Sequence, residues 1–256
     1  GEDLSGQLGI SRQALWKHIQ ELREIGYVIL SVPHLGYSLQ SVPDRLFPAE
    51  ISDGLGTRII GRRIVYAEHL ASTMESAMAL GFENAAEGTI VVAEGQSRGK
   101  GRLGREWVSP KYKGLYVSLL LRPQIAPQRT PLLTLLTAVG ICEGIKEITG
   151  IDARIKWPND IMLDHKKLGG ILTELQAETD VTFFVNIGFG LNVNNDRKSL
   201  VPQAISLAEC KQEKISRVAL LQAVLRHIEQ LYFLFQKQDS APILDRWRQY
   251  ALTLGR

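Results

Sequence analysis

Residues 95–107, Gly-Gln-Ser-Arg-Gly-Lys-Gly-Arg-Leu-Gly-Arg-Glu-Trp, constrain this chain more than any other stretch, with four glycines and four cations in thirteen positions. Glycine lets a backbone turn sharply and approach a ligand closely. Lysine and arginine supply charge and N–H donors for anions. The strand-like run Thr89–Val92 leads straight into this segment. The pattern therefore predicts a loop at a strand end that closes over phosphate or carboxylate. A flexible basic surface loop has the same composition, and the rest of the chain distinguishes the two.

Periodicity places the other elements. Short strands are expected at Ile64–Tyr66, Leu115–Leu121, Ile155–Trp157 and Phe183–Ile187, and a helix at Thr73–Leu80. Leu132, Leu136, Val139 and Cys142 mark a long helix ending at Gly150. Ile161–Leu163 and Lys167–Leu175 form a hairpin around Asp164-His165-Lys166. Leu221, Leu225, Ile228 and Tyr232 line another long helix, and a last one lies near Ile243–Tyr250. The strands outnumber simple βαβ crossovers, so the expectation is an α+β fold with a mixed sheet and helices on one face.

The first forty residues read as a separate unit. Leu4 and Leu8 fall on one helical face, and Gly9 breaks the helix. Ser11 caps a second helix with Leu15, Ile19 and Leu22 on its apolar side, and Gly26 ends it. The run Tyr27–Val32, a turn at Pro33-His34-Leu35-Gly36, and Tyr37-Ser38-Leu39 complete a helix, turn, helix and β-hairpin. That is a winged helix-turn-helix whose customary preceding helix would lie before Gly1. The second helix leaves Arg12, Gln13, Trp16 and Lys17 off its apolar face, with Ser11 at its start. Arg and Gln near a helix N-terminus can reach base edges, while Lys and Ser can hold phosphates. A merely solvated helix face is the alternative.

At 256 residues the chain accommodates about two domains. A net charge of +3 permits nucleic-acid contact without demanding it. No run approaches the roughly 18 apolar residues of a membrane span, so no membrane partner is expected. Cys142 and Cys210 are too few and too separated for a disulfide framework or zinc site, and no metal-ligating residues are assigned. Cys142 belongs to the core, and the expected location is cytoplasmic.

Two further strings follow the basic loop: Lys156-Trp157-Pro158-Asn159-Asp160 and Lys167-Leu168-Gly169-Gly170-Ile171-Leu172. With Ser72-Thr73 they stand in the order and spacing of the biotin protein ligases, over roughly residues 62–192. The chain resembles that family, and the head resembles the DNA-binding unit of members that also repress biotin operons. The resemblance implies residues 1–42 as the winged head, 43–57 as a linker and 58–248 as a ligase domain like class II aminoacyl-tRNA synthetases. It also implies residues 249–256 as the start of a C-terminal SH3-like barrel largely absent from this chain.

Enzymes of this family join biotin to ATP as biotinyl-5′-AMP, with Mg2+ accompanying the nucleotide, and pass biotin to a lysine of a biotin carboxyl carrier protein. Neither step needs a nucleophilic side chain. Positioning two anions and stabilising the developing charge is the task. By resemblance, Ser72, Thr73, Met74 and Gln96 hold the biotin head. Met74 stands where an amide or acidic residue is frequent, and Ser72-Thr73 also fit a helix N-cap. Gly99, Lys100, Gly101 and Arg102 form the loop centre, with Lys100 where the best-known form has arginine. Lys keeps the charge but loses the bidentate fork. Arg102, Arg105, Trp107, Lys156, Asn159 and Asn192 fall on the ATP side, with Asn159 assigned to adenine. Asp160 orients the acceptor lysine. Lys167 meets the biotin carboxylate and α-phosphate, while Gly169, Gly170, Gly188 and Gly190 let backbone approach the ligands. The catalytic set is thus Lys100, Arg102, Asp160 and Lys167. Residues 194–202 read as a polar, mobile segment.

The resemblance further implies a homodimer of adenylate-bound chains paired edge to edge on a two-fold operator DNA. Two rival readings are a ligand-sensing repressor without ligase activity, and a ligase for another carboxylic acid such as lipoate or octanoate.

Overall fold

The computed structural model describes residues 2–32 and 36–253. Most of the expected turn at Pro33–Gly36, and residues 254–256 of the expected C-terminal extension, lie outside them. The chain divides into two compact units, Gly1–Asp44 and Arg45–Arg256.

In the first unit α1 spans Glu2–Leu8 and α2 Arg12–Glu24, followed by strands β1 (Val28–Val32) and β2 (Gly36–Ser41). The Ser11 side chain accepts the Ala14 N–H at 3.1 Å, capping α2. At the other end Gly26, at φ 106°, donates to Arg23 O, and Tyr27 N–H reaches Leu22 O. This paired bonding closes the helix where the sequence places its stop. Leu15, Ile19 and Ile29 make the small core. The Arg23 guanidinium bonds Ile29 O and Ser31 Oγ, tying α2 to the hairpin.

The second unit runs α3 (Pro48–Ser52), β3 (Ile64–Ala67), α4 (Thr73–Phe82), β4 (Ile90–Ala93) and β5 (Leu115–Leu121). Then come α5 (Pro131–Thr149), β6 (Arg154–Lys156), β7 (Asp160–Leu163), β8 (Lys166–Ala177) and β9 (Thr182–Leu191). The last elements are α6 (Leu207–Lys211), α7 (Arg217–Gln236) and α8 (Ala241–Tyr250). The seven strands order as β3-β4-β5-β9-β8-β7-β6, with β3 and β4 parallel and the other pairs antiparallel. The sheet is therefore mixed, as expected. Asp164 and His165, at φ 46° and 64°, make the tight turn between β7 and β8.

Helices cover both faces of the sheet rather than one. On one side α5 and α7 bury Leu115, Leu119 and Leu121. On the other, α4 packs where Ser118, Leu120 and Phe184 point. Strand β5 is buried throughout because both its faces are covered, which explains its unbroken apolar run. Gly140 and Gly144 let α7 come close: a Cβ at either would stand within 2.9 Å of the Ile228 or Val224 backbone nitrogen. Helix α7 reaches the length and hydropathy of a membrane span, in contrast to the reading from the sequence. Its Leu221, Leu225, Ile228 and Tyr232 are instead fully buried in this core.

Three segments differ from expectation. Residues 43–57 are no free linker: Leu46, Ile51 and Leu55 are buried in the main core, and Leu46 N–H donates to Glu94 Oε1 at 2.8 Å. Their apolar side chains insert between polar neighbours too irregularly to read as a pattern. At the far end, Ala251 bridges Ile155, and Leu252 N–H bonds Ile155 O at 2.8 Å, so this stretch extends the sheet beside β6. Residues 194–202 begin anchored, because Asn194 is buried and its amide group bonds both N–H and C=O of Ile215.

Candidate functional site

The basic loop folds as a hairpin. Gln96 bridges Ser109, and Lys100 bridges Glu106. Trp107 N–H donates to Gly99 O and Gly101 N–H to Arg105 O. A Cβ at Gly99 would collide with the Trp107 carbonyl, so a side chain there would force the two arms apart. Leu103 sits at the tip with φ 57° and is 88% exposed. Residues 95–99 spell Gly-x-Ser-x-Gly, the pattern of a hydrolase nucleophile elbow. That elbow needs a strand-to-helix turn. Here the segment enters a hairpin and Ser97 is exposed, so the spelling carries no such chemistry.

The hairpin stands over a narrow cavity of about 50 Å³, bordered by Thr73, Met74, Gln96, Lys100, Gly101 and Trp107. Lys167, Gly170, Gly188 and Gly190 border it from β8 and β9. Gln96 Oε1 accepts both the N–H and the hydroxyl of Thr73, at 2.8 and 3.1 Å, while its Nε2 donates to Ser109 Oγ. Ser118 Oγ donates to Thr73 Oγ1 at 2.9 Å. Ser72 is the N-cap residue of α4, yet its side chain makes no capping bond. Its Oγ is buried without a partner, which leaves the hydroxyl free for a ligand. Gly188 and Gly190 make close approach possible: a Cβ at 188 would run into the Met74 thioether, and one at 190 would reach the Trp107 indole at 2.5 Å. Gly169 is different, because its missing Cβ makes room for Leu191 in the core, away from the cavity.

A second cavity of about 430 Å³ adjoins the first, and both share Gly101, Trp107 and Lys167. Its border includes Arg102, Arg105, Lys156, Asn159, Asp160 and Asn192, together with Ser199, Leu200, Val201, Gln203 and Ala204. Lys167 Nζ lies 2.6 Å from Asp160 Oδ1 and 5.7 Å from the Trp107 ring centre. Asn159 Oδ1 accepts from Arg102 at 3.1 Å, and its Nδ2 donates to Ile171 O at 2.6 Å. Asn159 thus braces Arg102 against β8 as well as bordering the cavity. The structure brings the sequence-assigned residues of this unit together from five separated segments. Ser72 and Gly99 border neither of these two cavities.

Sequence reasoning missed Glu75. This α4 carboxylate lies 3.1 Å from Lys100 Nζ and 3.6 Å from the Arg98 guanidinium, and so draws two loop cations toward the helix. The motif spacing carries no signal for it, because α4 and the loop meet only in three dimensions. Val117, Ile171, Leu172 and Phe189 also border the narrow cavity, and as strand residues they read only as core. Among the described residues no group of three or more His, Cys, Asp or Glu side chains stands together as a metal site.

In the first unit, Ser11, Arg12, Gln13, Trp16 and Lys17 lie on the exposed side of α2, opposite Leu15 and Ile19. Trp16 is 57% exposed, a large apolar side chain offered to a partner. Lys17 Nζ is 3.9 Å from Glu21, an exposed pair that a stronger anion can displace.

Comparison with known proteins bears on both units. The Biotin/lipoate A/B protein ligase family matches residues 66–192, and an HTH domain matches residues 1–38. The bifunctional ligase/repressor BirA of Bacillus subtilis (strain 168) is 44% identical over 259 residues, covering all of this chain and 80% of that protein. The protein of the same description from Escherichia coli (strain K12) is 32% identical over 254 residues, covering 97% of this chain and 77% of its own. The biotin protein ligase from Aquifex aeolicus, solved in complex with biotin and ATP, superposes with a TM-score of 0.65 at 30% identity. That match covers 76% of this chain and 81% of the solved one.

Proposed function

The chain belongs to the biotin/lipoate A/B protein ligase family, as a bifunctional ligase/repressor, and from that premise we propose how its residues divide the work. It ligates biotin with ATP by way of biotinyl-5′-AMP, and its helix-turn-helix head represses transcription. The observation that carries the assignment of residues is the pair of joined cavities sharing Gly101, Trp107 and Lys167.

Biotin takes the narrow cavity, with its ring head toward Ser72, Thr73 and Gln96 and its carboxylate toward Lys167. ATP takes the wider cavity between Trp107, Lys156 and Asn192. The carboxylate oxygen attacks the α-phosphorus, and the bond to pyrophosphate breaks. Lys100, Arg102 and Lys167 hold the charge that gathers on the transferring group, in a site that costs no reorganisation when the reaction occurs. In the second step an amine attacks the acyl carbon of the mixed anhydride and AMP leaves. Asp160 receives and orients that amine. Arg105 and Asn159 support the nucleotide side. Mg2+ would accompany ATP and neutralise part of its phosphate charge.

The acceptor is a lysine of a biotin carboxyl carrier protein, and the protein works in the cytoplasm. Ser11, Arg12, Gln13, Trp16 and Lys17 meet operator DNA. Adenylate-bound chains form a homodimer on the two-fold operator. The test is transfer of biotin to a purified carrier domain, read by intact mass. Labelling that requires both MgATP and Lys167 supports this division. Biotin binding without labelling favours the sensor that lacks ligase activity, and labelling by lipoate favours the other acid.

A further inference from the structure

Arg197 belongs to none of the motifs, yet its guanidinium gathers three carbonyls of one short stretch. Nη1 donates to Ala204 O at 2.6 Å. Nη2 donates to Val201 O at 2.6 Å and to Leu200 O at 3.4 Å. Arginine suits this task because its planar fork presents several N–H groups in fixed directions. Glu209, on α6, lies 3.5 Å from Nη1 and balances the charge at the stretch's outer side.

The carbonyls Arg197 gathers come from both ends of a wall. Leu200, Val201, Gln203 and Ala204 all border the wider cavity. The same stretch is bonded to the backbone of Lys167 in both directions. Lys167 N–H donates to Gln203 O at 2.8 Å, and Ile205 N–H donates to Lys167 O at 3.0 Å. Lys167 therefore takes its backbone position partly from residues 203–205, and these take theirs partly from Arg197. Without the guanidinium, the Leu200 and Ala204 carbonyls beside the cavity lose this donor to water, and Val201 O keeps the Ala204 N–H at 3.0 Å.

We infer that Arg197 is a positioning residue of the nucleotide side. It staples residues 200–204 into the wall that ATP meets and thereby fixes the backbone of Lys167. This rests on the division of the two cavities proposed above. The biotin side is anchored independently through Gln96, Thr73 and Ser118, so the effect falls on one ligand.

The test compares the full chain with its Arg197→Ala, Arg197→Lys and Glu209→Gln variants. The ligand-free readout is amide hydrogen exchange. In Arg197→Ala the Lys167 and Ile205 amides exchange at least tenfold faster, while the Thr73 amide keeps its rate. In the adenylation assay, KM for ATP rises about tenfold, and the biotin dissociation constant stays within twofold. Arg197→Lys falls between, and Glu209→Gln stays near the parent. Unchanged exchange at Lys167 and Ile205 overturns the inference whatever the activity. So does an equal loss of biotin binding, which marks general destabilisation, or a Glu209→Gln effect as large as that of Arg197→Ala. A parent chain that binds biotin but forms no adenylate defeats the reading of the site instead, and the exchange measurement still decides the staple.

Discussion

Lys167 Nζ and Asp160 Oδ1 are 2.6 Å apart, each partly exposed to the cavity that both border. In the division of work proposed above the two residues carry different tasks, and here each neutralises the other. A bound carboxylate competes with Asp160 for the ammonium. Lys167→Ala is expected to lower adenylate formation by about 100- to 1,000-fold, the range seen when one donor to a developing charge is removed. Asp160→Asn is expected to keep adenylation within a few-fold and to bind biotin at least as tightly, while transfer to the acceptor collapses. Pyrophosphate release and acceptor mass separate the two steps. Equal loss of both steps in Asp160→Asn would refute the division of labour.

Gly188 offers a second test. A Cβ there meets the end of the flexible Met74 side chain, which borders the narrow cavity proposed for biotin. Gly188→Ala should push the thioether into that space and weaken biotin binding by tenfold or more. The packing cost to the fold should stay at roughly 1–3 kcal/mol. Calorimetric titration with biotin, set beside a urea unfolding curve, reads both quantities. Wild-type affinity in this variant would mean that biotin does not pass Met74.

Beneath the loop, Arg217 Nη1 and Glu94 Oε2 form a fully buried ion pair at 2.7 Å, and Glu94 Oε1 also takes the Leu46 N–H. Removing one partner of such a pair leaves a buried charge uncompensated, at a cost of about 3–5 kcal/mol. Glu94→Ala is therefore expected to lower the urea midpoint sharply, more than an exposed exchange such as Glu83→Ala. A change within error would show that water enters and solvates Arg217.

These contacts mark the limit of what the sequence discloses. The strand before the loop, the glycine stop at Gly150 and the turn at Asp164-His165 are local, and each is written in neighbouring residues. The string Lys156–Asp160 and the loop are legible as chemistry because their residue types are rare in that spacing. Glu75 and Glu94 act on groups brought near by the fold, so nothing beside them in the chain announces their partners, while Arg197 acts on nearby main-chain carbonyls, which no residue type marks. Leu46 and Ile51 read as linker for the same reason: their burial depends on α7 and β4, far away in sequence. Helix α4 escaped the one-face reading because it packs against Ser118, Leu120 and Phe184, which are far from it in sequence.

His227, on α7, lies between two carboxylates of α5, with Nδ1 3.3 Å from Glu143 and Nε2 2.8 Å from Glu147. The adjacent Glu143 carboxylate raises its pKa above the usual 6.5, against the opposing effect of partial burial, and Glu147 adds to the rise. A raised folded-state pKa contributes stability that is fully present below the unfolded value and lost as pH climbs through the folded one. His227→Gln should thus be less stable than the parent at about pH 6, with the difference shrinking above the raised folded pKa. Urea unfolding at both ends of that range checks the sign, and a difference that grows with pH would contradict it.

The exposed side of α2, proposed above to meet DNA, gives the last prediction. Arg12 and Lys17 are exposed beside Gln13 and Trp16, on the helix whose opposite face builds the small core. Contacts with phosphates displace condensed counterions, so affinity falls steeply with salt, and each lost contact lowers the slope of log K against log salt by roughly 0.9. Lys17→Ala, which leaves Glu21 paired with His18 alone, should weaken binding to every sequence alike and lower that slope by about one. Arg12→Ala, if Arg12 reads a base edge, should cost about 1–3 kcal/mol on operator DNA and leave non-specific binding nearly unchanged. Fluorescence anisotropy on operator and scrambled duplexes, across a salt series and with biotin and MgATP present, measures both. If the two variants behave alike on both duplexes, Arg12 holds a phosphate, and base reading falls to Gln13 and Trp16.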